Sequence, residues 1–283
     1  MVARAGFTLV EALVALVLSS IVVVLVSSVF LVQNRYYATQ VQRSGAHDVA
    51  RAATEFLARE VRSAMAGGVT VAEPDSLVIR SPMVVAAVCG TSSTYAYVQF
   101  EGGEAALDQD EVAGVGVYDA AAGSWAFYNE GWGSGGLDGG TTFAAVGCAT
   151  NGADTTGAME EFHRIDRLVS LHGSVPLPGT LLTLFRETTF TIRPSRLAPG
   201  VQGLFVGSWG DTLVEYASGL DTTAGFQYLR EGQSVYEDQV SSAQLDQIDV
   251  IRFIADARRP APTGGVADIR YGWTVSIPLR NAR

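Results

Sequence analysis

One stretch limits what this chain can become: Phe7–Val32, FTLVEALVALVLSSIVVVLVSSVFLV, with Glu11 as its single formal charge. A bilayer core takes about 20 apolar residues of helix, so this run is long enough to span one. Only Met1-Val2-Ala3-Arg4-Ala5-Gly6 precedes it. Those six residues carry Arg4 but no apolar region and no A-x-A site, unlike a secretory signal peptide. A charge at mid-membrane costs about 2.5–3.5 kcal/mol on insertion scales. Glu11 lies near one end, where the cost is smaller, so a plain anchor with an acid near the interface is one reading.

The other reading comes from the spacing around that acid. Gly6-Phe7-Thr8-Leu9-Val10-Glu11-Ala12 resembles the type III signal of type IV pilins and type II secretion pseudopilins. There a short basic leader ends in Gly, Phe follows, and Glu heads an apolar helix. The resemblance implies cleavage between Gly6 and Phe7 by a prepilin peptidase, N-methylation of Phe7, and packing of the helix into a filament core. With Phe7 as the new N-terminus, its amine stands at i and Glu11 at i+4, one turn apart if the helix begins there. An amine and a carboxylate buried in hydrocarbon are tolerated only as a pair, so Glu11 of one subunit would meet the Phe7 amine of a neighbour during assembly. The chain departs from many major pilins at Ser28, where they carry a helix-melting Pro.

From Gln33 the helix is expected to continue in water to Ala66. Ala46, Val49, Ala50, Ala53, Phe56, Leu57, Val61, Ala64 and Met65 recur at three- and four-residue spacing. Arg51, Glu55, Arg59 and Arg62 fall opposite, with Glu55 and Arg59 spaced as an i, i+4 pair. Gly67-Gly68 ends the run. The apolar stripe is expected to cover the domain that follows, with a partner coiled coil as the alternative.

Beyond residue 67 the pattern changes to short strands and turns. The candidates are Ser76–Ser81, Tyr95–Glu101, Val115–Tyr118, Ser124–Asn129, Leu181–Ile192, Gly203–Trp209, Leu213–Ala217, Phe226–Arg230, Val250–Ala257 and Ile269–Leu279. In the last, Ile269, Tyr271, Trp273, Val275, Ile277 and Leu279 alternate with less apolar residues, and Pro278 marks an edge or the end of pairing. Gln239–Gln247 reads as a short helical turn. The expected class is α+β, one long helix on an antiparallel sheet. Its divisions are a leader at 1–6, a membrane or filament-core helix at 7–32, an amphipathic continuation at 33–66 and a β-rich extracytoplasmic domain at 67–283. A Gly-, Ala- and Asp-rich stretch at 102–160 reads as a flexible insertion without evident strands at its centre.

The net charge is −10, and the acids concentrate after residue 66, a poor surface for phosphate backbones; no nucleic-acid partner is expected. Lys is absent, which excludes a Walker lysine, a Schiff-base lysine and a Ser–Lys dyad. There is no G-x-S-x-G, H-E-x-x-H or C-x-x-C, so neither an enzyme nor a cofactor is expected. His47, His163 and His172 read as ordinary side chains, and Asp108-Gln109-Asp110-Glu111 reads as a solvated loop before it reads as a calcium site.

Phe226-Gln227-Tyr228, Leu245–Phe253 and the closing Leu279-Arg280-Asn281 resemble PilW-type minor pilins and the related J-type pseudopilin. That resemblance implies a subunit stored in the bacterial inner membrane with a periplasmic domain. Its partners would be the prepilin peptidase, other pilins and the inner-membrane assembly platform. An adhesive module at a pilus tip is the alternative. In such a compartment Cys89 and Cys148 are a candidate disulfide, with two unpaired buried thiols as the alternative.

Overall fold

The structure is a computed structural model. It describes residues 8–91, 95–100, 111–119, 121–128, 137–138, 163–166, 177, 179–208, 212–259 and 268–279.

A single helix, α1, runs unbroken from Leu9 to Arg62. Thr8 caps it: the backbone there is extended, and its hydroxyl accepts the Glu11 N–H at 3.3 Å. Ser28, where a Pro would break the ladder, instead donates its hydroxyl to the Leu25 carbonyl at 2.7 Å. At the other end the Ser63 N–H reaches back to the Glu60 carbonyl and the Ala64 N–H to that of Val61. The helix stops four residues short of the expected Ala66 because a strand takes over its backbone groups. Met65 N–H donates to the Arg80 carbonyl at 2.9 Å, and Arg80 N–H donates to Gly68 at 2.8 Å. Gly67 makes the turn at φ 66°, a conformation that favours glycine.

Fifteen strands follow among the described residues: β1 (Val69–Ala72), β2 (Ser76–Thr91), β3 (Tyr95–Phe100), β4 (Gly114–Asp119), β5 (Ser124–Tyr128), β6 (Leu137–Asp138), β7 (His163–Asp166), β8 (Leu181–Pro194), β9 (Gln202–Ser208), β10 (Val214–Leu220), β11 (Gly225–Arg230), β12 (Ile248–Ile254), β13 (Ala257–Arg259), β14 (Ile269–Tyr271) and β15 (Thr274–Pro278). A 3-10 turn at Ser242–Gln247 precedes β12, where the sequence predicts a helical turn. Among the described residues, β11, β12 and β15 form a three-stranded antiparallel sheet and the other twelve strands form a second one.

The long β2–β8 ladder is the spine of the larger sheet. It runs from Ser76 opposite Thr191 to Ala87 opposite Leu181. The expected strand Ser76–Ser81 stops one residue before Pro82, yet β2 continues to Thr91. The register shifts between Pro82 and Val84, and a bulge of this kind absorbs a residue that cannot donate. Along its other edge β8 pairs first with β4 and then with β9. The β4–β5 hairpin lies inside the stretch read as an insertion. It is part of the sheet, with Val115 and Val117 buried. Gly114 is required there, since a Cβ would meet the Tyr128 carbonyl oxygen and, at 2.7 Å, the Phe185 ring. Most of the remainder of 102–160 lies outside the described residues.

The expected strand Ile269–Leu279 is two strands in two sheets: β14 pairs with β13 in the larger sheet, β15 with β12 in the smaller. Val250–Ala257 divides in the same way. The register nevertheless runs straight through the corner. Ile254 faces Thr274, Ala257 faces Tyr271, and between them Ala255 N–H donates to the Trp273 carbonyl at 2.7 Å. One two-stranded ribbon thus bends from sheet to sheet without slipping. Its alternation survives except at Trp273, which the bend leaves 37% exposed. β15 is an edge strand ending at Pro278, as the Pro predicts.

The main core fills the space between α1 and the two sheets. Ala46, Ala50, Ala53, Leu57 and Val61 of the helix meet Leu77, Phe190, Leu204, Phe226, Tyr228, Ile251 and Phe253. The stripe therefore packs within the chain. The small residues at 46, 50 and 53 let the sheet approach the helix closely. The Tyr228 hydroxyl, whose pKa burial pushes upward, donates to the Glu73 and Ser76 carbonyls at 2.8 and 3.2 Å. A second core under β4 joins Val84, Val88, Val98, Val115, Leu182 and Leu184 beyond the reach of the helix.

Candidate processing and assembly site

Every residue of α1 from Leu9 to Tyr37 is exposed, whereas its buried residues all lie between Ala46 and Val61. The helix is thus one rod with two environments. Its first half is apolar on all sides and long enough to cross a membrane. Two of the hydroxyls within it bond to the helix backbone: Ser20 donates to Val17 and Ser28 to Leu25, each at 2.7 Å.

Glu11 stands third in the helix, in the first turn, where the macrodipole favours an acid. Thr8 and Glu11 occupy the positions of a capping box, and the hydroxyl half of that box is formed. The carboxylate half is not. Among the described residues the Glu11 side chain has no hydrogen-bond or ion-pair partner. The sequence reading missed this cap, although T-x-x-E before an apolar run is its signature. Among the described residues the helix begins at Leu9, with Thr8 extended before it. Gly6 and Phe7 themselves lie outside the described residues.

At the far end of α1 the helix is tied to the sheet by charges. Glu60, 13% exposed, accepts from Arg186 at 3.1 Å, and Arg186 also reaches Glu111 at 3.5 Å. Next to them Arg80 and Glu187 are directly opposed on β2 and β8 and pair at 3.0 Å, with 16% and 6% of their side chains exposed. The Arg80 guanidinium lies 4.6 Å from the Phe127 ring centre and 5.1 Å from that of Phe185. Burial lowers the Arg80 pKa, and the Glu187 carboxylate opposes that shift. Arg51 pairs with Glu55 at 2.7 Å on the exposed face, in place of the expected Glu55–Arg59 pair.

The other candidate groups do not converge. His47 packs edge-on against Tyr271 and Trp273, with ring centres 5.0 and 5.8 Å away. Together with Arg51, Thr54, Glu55 and Trp273 it lines a shallow cleft of about 280 Å³. His163 opens β7, and His172 lies outside the described residues, as do Asp108, Gln109 and Asp110. Glu111 is engaged by Arg186. Among the described residues no three His, Cys, Asp or Glu gather. Cys89 belongs to β2 at the irregularity between Val88 and Gly90; its side chain and the whole of Cys148 lie outside the described residues.

Residues 1–27 match the family model described as the prokaryotic N-terminal methylation motif. Comparison with curated proteins and with solved structures finds no match for the chain. The motif and the rod-like helix together support a pilin- or pseudopilin-type precursor; the membrane-capable helix is packed through its second half on an antiparallel domain.

Proposed function

We propose that the protein is a minor pilin or pseudopilin of the PilW or J type, a structural subunit of a type IV pilus or a type II secretion pseudopilus. One observation carries the reading: the methylation motif ends inside a helix that is apolar and bare for its first half and embedded in its own domain for the second. Such a rod can be stored in the inner membrane with a periplasmic domain. A prepilin peptidase cuts it between Gly6 and Phe7, Phe7 is N-methylated, and the assembly platform moves it into contact with other pilins. Glu11 supplies the carboxylate that receives a neighbour's Phe7 amine.

The test is the mass of the mature N-terminus. Protein purified from its native host should begin at methylated Phe7. Gly6→Val places a branched side chain where the peptidase must reach the backbone, and unprocessed protein should accumulate in the membrane. A wild-type chain that keeps Met1 in cells assembling fibres would overturn the reading.

The same compartment favours a Cys89–Cys148 disulfide. In the chain-entropy model a loop of this length stabilises by roughly 4 kcal/mol. Non-reducing peptide mapping should recover the two cysteines in one linked peptide. Quantitative alkylation of both thiols in the unreduced protein would count against the bridge.

A further inference from the structure

We infer that Arg35, Tyr36 and Tyr37 form an interfacial girdle that fixes the depth of α1 in the stored subunit, with the lipid headgroup layer as its occupant. The inference rests on the membrane storage proposed above. The apolar run ends at Val32, and Gln33-Asn34 separates it from the girdle. Tyr36 and Tyr37 are 67% and 69% exposed, and the first buried residue of α1 is Ala46. At 1.5 Å per residue Tyr36 lies about 6 Å beyond Val32, and Ala46 about 20 Å beyond it. The headgroup layer is about 5–7 Å deep on each side of the hydrocarbon. Tyr36 therefore falls inside it, Tyr37 at about 7.5 Å stands at its outer edge, and the globular domain lies beyond it.

The arrangement selects lipid over a protein partner. Neighbouring helical residues are about 100° apart, so Arg35, Tyr36 and Tyr37 spread over roughly 200° of the circumference. A docking helix or domain would need a stripe at three- and four-residue spacing; Val41 extends only the Tyr37 side of such a stripe. Lipid surrounds the helix and meets every direction. Tyrosine at the headgroup level presents an apolar ring and a wet hydroxyl, and arginine reaches phosphate from a long apolar stem.

Anchors of this kind, and not apolar length, set helix depth. With Val32 at the outer hydrocarbon edge, about 20 residues fill the core and Leu13 reaches the inner edge. Glu11 then lies about 3 Å outside the hydrocarbon. The stored subunit keeps its carboxylate hydrated, and the charge needs a partner only when the helix leaves the bilayer.

The test uses the full chain in vesicles of phosphatidylethanolamine and phosphatidylglycerol carrying bromine at known acyl depths. The four native tryptophans all lie beyond α1, so wild type supplies the baseline. In Tyr37→Trp the added emission should be lost to bromine nearest the headgroup and persist with bromine near the bilayer centre. In Leu13→Trp the loss should again be to shallow bromine, and adding Tyr36→Ser with Tyr37→Ser should shift it toward deeper positions. An indole at position 37 that no bromine quenches, or a depth at position 13 indifferent to the serines, overturns the girdle. Wild-type chain that fails to float with the vesicles would instead remove the membrane reading beneath it.

Discussion

Glu11→Leu should give a subunit that is cleaved, retained in the membrane and depleted from sheared fibres or tip complexes by roughly 10²–10⁴-fold. The figure follows from breaking one side of a buried ion pair, which costs about 3–5 kcal/mol. A plain anchor predicts the opposite sign, since it gains from losing a charge near hydrocarbon. The folded helix is not at risk. Within the described residues Glu11 holds its cap through its backbone N–H to Thr8, and leucine keeps that donor. Gly6 lies outside the pair, so cleavage should proceed. Quantitative immunoblotting of membranes and sheared material separates the outcomes. Normal recovery of the variant in assembled material would remove the pairing argument.

The second large effect concerns the fold. Glu187→Leu takes the opposed, buried carboxylate from the part-buried Arg80 guanidinium, at a junction where β2, β8, the β4–β5 hairpin and the end of α1 all meet. Breaking a buried pair in this way costs about 3–5 kcal/mol. For a domain of this size that lowers the melting temperature by roughly 6–20 °C. Arg80→Met combined with Glu187→Leu should recover most of the loss, because an apolar pair of similar volume carries no stranded charge. Thermal unfolding followed by circular dichroism of the full chain in detergent reads both variants. A single variant that melts with wild type would show the pair to be incidental.

Much of this was legible from local chemistry. The apolar run, the stripe from Ala46 to Val61 and the polar face opposite it follow from helical periodicity, because each residue's direction is fixed by its neighbours three and four away. Thr8-x-x-Glu11 carried the cap in plain view. Pro278 marked an edge because a missing N–H is a local fact.

Pairing was less legible. The expected strand Ser76–Ser81 stops one residue before Pro82, and only the register with β8 shows that a bulge carries β2 past it. The alternation of residues 269–279 was correct in phase and silent about the corner, because a ribbon can bend at Ala255 and Trp273 while its register stays constant. Arg51 and Arg59 flank Glu55 at equal spacing, so spacing could not choose between them.

The sequence by itself determined the rod, its cap, its apolar span and the methylation motif, all of which depend on contacts within a few residues. The tertiary structure alone decided how that rod is held. Glu60 finds Arg186 and Arg80 finds Glu187 across more than a hundred residues of chain. No periodicity encodes such partners: they come together only after the β2–β8 register has set Arg80 against Glu187.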